Sequence, residues 1–78
     1  MIHEEINKKL AEFSERVGVT PRFIYIKPRA FRELMSGIPR RSEEKYVHWQ
    51  EGAGLGYYAG IQLIGANEFL TEDITVAM

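Results

Sequence analysis

The sequence predicts an α+β fold in one domain over residues 1–78, with two helices packed on one face of a three- to four-stranded sheet that includes antiparallel pairing. Three observations predict it. Apolar residues Ile2, Ile6, Leu10, Phe13 and Val17 recur at helical spacing. The stretch Pro21 to Leu34 joins an apolar run, Phe23 to Ile26, to a segment in which Ala30, Phe31, Leu34 and Met35 repeat with the period of a helix. The C-terminal half returns to short apolar runs between glycines and turn residues, the pattern of strands.

Taken in order, the first stripe gives a helix over about 3–17. Glu4 and Glu5 fall in its first turn and Arg16 in its last, as the helix dipole favours, and Gly18 ends it. Its other face, Glu5, Lys8, Lys9, Glu12 and Glu15, mixes signs and reads as a solvated surface. Thr20-Pro21 breaks the helix, and Arg22 to Lys27 reads as a central strand because apolar residues point to both faces. Pro28 suits the first position of a helix, which the spacing places over 28–36, with Ser36-Gly37-Ile38-Pro39 stopping it.

Pro39 to Lys45 is polar and predicts an exposed loop or one helical turn beginning at Ser42. Tyr46 to Gln50 reads as a strand with Val47 and Trp49 on one side. The expectation for EGAGLG is a flexible loop, and for YYAGIQLIG a strand with Ile61 and Leu63 on one face. A turn over Leu70 to Asp73 leads to a closing strand, Ile74 to Met78.

Composition narrows the function. The chain of 78 residues is 45% hydrophobic and 27% charged, which argues against intrinsic disorder. So short a chain buries a small share of its surface and depends on its apolar core or on a partner. Cysteine is absent, which excludes disulfides, thiol nucleophiles and thiolate metal sites. The charged N-terminus has no signal-peptide pattern and no apolar run has membrane-spanning length, so the expected location is cytoplasmic, with no membrane partner.

Net charge is −1, unevenly spread: three cations against four anions in residues 1–21, seven against three in 22–45, and none against four in 46–78. The basic segment contains Arg22, Lys27, Arg29, Arg32, Arg40, Arg41 and Lys45 among Phe23, Tyr25 and Phe31. Cations among aromatics are suited to phosphates and bases, with Arg40 and Arg41 best placed to reach. Against this stands the simpler reading, that Phe23 and Phe31 are core residues and the charges ordinary solvated ones.

No residue pattern carries catalysis. Gly54 to Ala59 fits G-x-G-x-x-A, but that fingerprint needs a helix after it, and a strand is expected here. His3 and His48 lack metal-ligand spacing, and the serines have neither a G-x-S-x-G context nor an evident base. The expectation is a non-enzymatic chain with no cofactor, no metal and no small-molecule substrate. Trp49, Tyr57 and Tyr58 lie in or beside the glycine-rich stretch and read equally as partner anchors or as residues closing the core.

The order of these features resembles the axial domain of major capsid proteins of tailed phages and encapsulins. The resemblance lies in a helix ending at Gly-Val-Thr-Pro, the strand FIYIKP, the helix AFRELM, a variable loop, GLGYYAGIQLIG and a last turn and strand, from about Leu10 to Val76. The arm, the extended loop and the peripheral domain of those shell proteins have no counterpart. The resemblance implies a small phage- or provirus-related protein that reuses the domain in assembly or host interaction. Together these readings predict a protein-interaction or assembly module that self-associates or binds a protein through Trp49, Tyr57, Tyr58, Arg40 and Arg41. The alternative is a small nucleic-acid-binding protein using segment 22–45.

Overall fold

A computed structural model describes residues 1–39, 45–67 and 70–78. Its elements are α1 (Ile2–Val17), β1 (Phe23–Ile26), α2 (Pro28–Ser36), β2 (Gly54–Tyr58), β3 (Ile61–Gly65) and β4 (Ile74–Ala77). The strands form one sheet in the order β2-β3-β1-β4. The sheet is mixed: β1 runs parallel to β3 and antiparallel to β4, and β2 and β3 are antiparallel.

Both helices lie on one face of the sheet, as the amphipathic stripes require. Ile2 and Ile6 from α1 and Ala30, Phe31 and Leu34 from α2 meet Ile24, Ile26, Leu55, Ile61, Leu63 and Ile74 from the strands in a single core. Ile6, Ile24, Ile26, Leu34, Leu55 and Leu63 are wholly inaccessible to solvent. Each such aliphatic side chain contributes about 1.5–3 kcal/mol relative to exposure. Gly18 closes α1, donating its N–H to the Ser14 carbonyl. Pro28 begins α2, where the missing N–H costs no helical bond.

The glycine-rich half differs from the sequence expectation in three places. Tyr46 to Gln50 is not a strand; it runs beside β2, held by the Val47 N–H donating to the Leu55 carbonyl. The expected loop EGAGLG turns into β2 at Gly54, with a bulge between Gly54 and Gly56. YYAGIQLIG is a hairpin rather than one strand, because Ala59 (φ 50°) and Gly60 (φ 81°) both take left-handed backbone and form its two-residue turn. Two positive φ values in succession match the twist of the flanking strands, and the alanine conceals the usual Asn-Gly signal. The loop or turn expected from Pro39 to Lys45 falls largely in 40–44, outside the described residues.

Gly65 is fixed by close approach. It is buried at the end of β3, exchanges hydrogen bonds with Gly52 and Ala53, and a Cβ there would collide with the Gln50 main-chain carbonyl. Backbone cannot yield as a side-chain tip can, so Gly65→Ala is expected to cost about 1–3 kcal/mol, as overpacking does. Urea denaturation of the purified variant would measure it, and an unchanged midpoint would show that the 50–53 segment is not held against β3.

Candidate functional site

The sheet face opposite the helices is built by strand alternation. Phe23 and Tyr25 of β1 alternate with the buried Ile24 and Ile26 and point away from the core. Register sets their neighbours: Tyr57, Gln62, Phe23 and Ala77 form one row across all four strands, and Ile64, Tyr25 and Thr75 form the next. The Phe23 and Tyr25 rings lie 6.4 Å apart at 47°. Every residue of the two rows is half-buried except Tyr57, which is 64% exposed at the sheet edge. The rows hold three aromatic rings, an isoleucine, an alanine and two uncharged polar side chains, and no charge.

The three aromatics singled out from sequence separate. Trp49 is half-buried against the core, and its indole N–H donates to the Ile26 carbonyl at 2.9 Å. The same carbonyl accepts the Ala66 N–H at 2.8 Å, so both of its lone pairs are used. Tyr58 also packs on the core; its hydroxyl donates to Asn7 Oδ1 at 3.1 Å and lies 3.3 Å from His3 Nδ1. Burial pushes the Tyr58 phenol up from its ordinary pKa, with the Asn7 hydrogen bond acting in the opposite direction. Trp49 and Tyr58 thus both pack on the core through half-buried rings, while Tyr57 is largely exposed at the sheet edge. Tyr46, which sequence reading placed only in a strand, rests on Gly56 and donates its hydroxyl to the Tyr57 carbonyl at 2.9 Å.

Among the described residues the basic side chains do not converge. Arg22 and Lys27 stand at opposite ends of β1, roughly 17 Å apart at strand rise. Arg29 and Arg32 belong to α2 in the helical layer, on the other side of the sheet from Phe23 and Tyr25. Arg29 borders a groove together with the acidic residues Glu5, Glu33 and Asp73. Lys45 is exposed beside β2. Arg40 and Arg41 lie outside the described residues.

Among the described residues no cluster of His, Asp or Glu has the makings of a metal site, and no helix is long and apolar enough to cross a membrane. A second groove, about 260 Å³, runs between α1 and β4 and is lined by Lys9, Glu12, Phe13, Arg16, Glu72, Thr75 and Val76. Lys9 Nζ bonds Glu72 Oε2 at 2.8 Å, and this hydrogen bond, with the lysine charge, holds the Glu72 carboxyl below its usual pKa.

No protein-family model matches the chain, and no curated protein or solved structure shows significant similarity to it. The resemblance to capsid axial domains accordingly rests on the sequence motifs.

Phe23 and Tyr25 were legible as aromatics of a strand with two apolar faces; which face the helices would leave open was not. Trp49→Phe keeps the packing but removes the donor, and is expected to cost about 0.5–1.5 kcal/mol, toward the low end because Ala66 still serves the Ile26 carbonyl; chemical denaturation measures it. Lys9→Ala is expected to return the Glu72 pKa toward that of a free carboxylate, as read by NMR titration of its side chain. Since the folded pKa is depressed, the pair supports the fold above the unfolded carboxyl pKa and that support is lost as pH falls through the folded value.

Proposed function

We propose that this chain is a non-enzymatic protein-interaction module that docks onto a larger protein assembly through the open face of its sheet. The observation that carries the reading is the uncharged, aromatic composition of that face: Phe23 and Tyr25 on the central strand, Ile64 beside them and Tyr57 at the rim. Aromatic rings at the centre of a patch with few charges are the composition of protein interface cores. The polar tips of Gln62, Thr75 and Tyr25 give such a surface hydrogen-bonding groups for register without the desolvation cost of ions. The sequence motifs that resemble capsid axial domains extend the proposal to a phage- or provirus-derived protein acting in the cytoplasm.

Nucleic acid fits less well, because the cations of α2 and the aromatics of β1 face opposite sides of the sheet. The discriminating experiment is affinity capture from lysate of the source organism at low and moderate salt, with the native chain and with Tyr25→Glu and Ile64→Glu side by side. The expected result is one protein retained at both salts by the native chain and lost from both variants while their circular dichroism stays native. A hot-spot residue truncated at an interface centre weakens binding by about 30-fold or more. Capture indifferent to both variants, or recovery of nucleic acid at low salt alone, would overturn the reading.

A further inference from the structure

The two edges of the sheet are treated differently. On the β2 edge, the Val47 N–H bonds the Leu55 carbonyl, Tyr46 bonds the Tyr57 carbonyl, and a bulge interrupts the strand. Bulges and covering segments are standard protection against edge-to-edge pairing. On the β4 edge, no strand pairs with the outer side among the described residues. Its sequence, Ile-Thr-Val-Ala, has β-branched residues at three positions and neither charge nor proline.

The direction of the backbone groups is fixed by the β1 pairing. Lys27 N–H donates to the Asp73 carbonyl and Arg22 N–H to the Ala77 carbonyl, so the odd-numbered residues of β4 turn their polar groups toward β1. The N–H and C=O groups of Ile74 and Val76 therefore point outward, spaced as an antiparallel partner strand needs them.

We infer that β4 pairs antiparallel with β4 of a second copy of this chain, across a two-fold axis at Thr75, to give one sheet of eight strands. In that register Thr75 faces Thr75 of the copy as a non-hydrogen-bonded pair, and Ile74 exchanges both backbone bonds with Val76 of the copy, and Val76 with its Ile74. The side-chain alternation is preserved, so both helical layers lie on one side and the two open faces become continuous.

Charge complementarity favours a second copy over another extended segment. The groove alongside β4 carries two cations, Lys9 and Arg16, and two acids, Glu12 and Glu72. Lys9 and Glu72 satisfy each other. Glu12 is left with Lys8 at 4.0 Å, and Arg16 with the Phe13 ring at 5.9 Å. A two-fold axis makes α1 of the copy an antiparallel neighbour, which brings Glu12 toward Arg16 of the copy and the reverse. An isologous interface requires such self-complementarity. The inference stands apart from the docking reading, and either can fail alone.

The test is sedimentation equilibrium on the full chain over a wide concentration range, joined to amide hydrogen exchange by NMR at its two extremes. The expected species is a dimer of twice the 9.0 kDa chain, formed in proportion to concentration. The Ile74 and Val76 amides should gain protection as it forms, while the Thr75 amide is protected throughout. Thr75→Glu places like charges opposite each other at the axis and is expected to weaken dimerisation by about fivefold or more, with native circular dichroism. A monomer at every concentration, or a dimer in which Ile74 and Val76 exchange as fast as in dilute protein, would overturn the inference. So would a folded Thr75→Glu variant that dimerises as the native chain does.

Discussion

The four residues of β1 are the constraint on which this structure depends. Phe23 to Ile26 pair on both sides, with β3 in parallel and β4 in antiparallel, so the strand is at once the middle of the sheet and the divider between its faces. Ile24 and Ile26 enter the core with no solvent exposure, and Phe23 and Tyr25 are thereby committed to the other face. The period of two leaves no other arrangement: a one-residue slip would place two aromatics under the helices and two isoleucines outside. Core and open face are two consequences of one register.

The same strand ends where the rest of the chain converges. The Ile26 carbonyl takes N–H groups from Ala66 and from Trp49, which ties the end of β3 and the long connection after α2 to the centre of the sheet. The next residue, Lys27, is bonded through its N–H to Asp73, ahead of β4, and then Pro28 opens α2. Gly65 completes the junction by admitting the Gln50 backbone against β3. Aromatic residues close to one another in sequence thus take different tasks, Trp49 and Tyr58 joining segments to the core and Tyr57 meeting solvent.

Much of this was legible from residues. The amphipathic stripe from Ile2 to Val17 and the Pro28 start of α2 were read with boundaries within a residue, because periodicity and capping are local. The two apolar faces of FIYI correctly implied a central strand. The glycine-rich half was misread for a physical reason: its turn is made by Ala59 and Gly60, and alanine carries no turn signal although its φ here is positive. Tyr46 to Gln50 looked like a strand because aromatic and β-branched residues dominate it, yet its aromatics are used to pack against the core and beside β2. The open face escaped sequence reading because pattern reports that a strand has two apolar faces, while the number and placement of helices decide which one is covered. The basic segment shows the reverse case, a cluster in sequence whose described cations are separated in the fold, Arg22 and Lys27 at opposite ends of β1 and Arg29 and Arg32 on α2.

Solvent paramagnetic relaxation would decide whether the face of Phe23 and Tyr25 is open in the isolated chain. With a neutral soluble spin probe, the expected result is strong attenuation of the Tyr57 ring signals, clear attenuation at Phe23, Tyr25 and Ile64, and little at Phe31, Leu34 and Ile24 on the helix-covered side. Attenuation at Phe23 and Tyr25 no greater than at Phe31 would contradict it, since the face would then be covered and the docking surface would have to lie elsewhere.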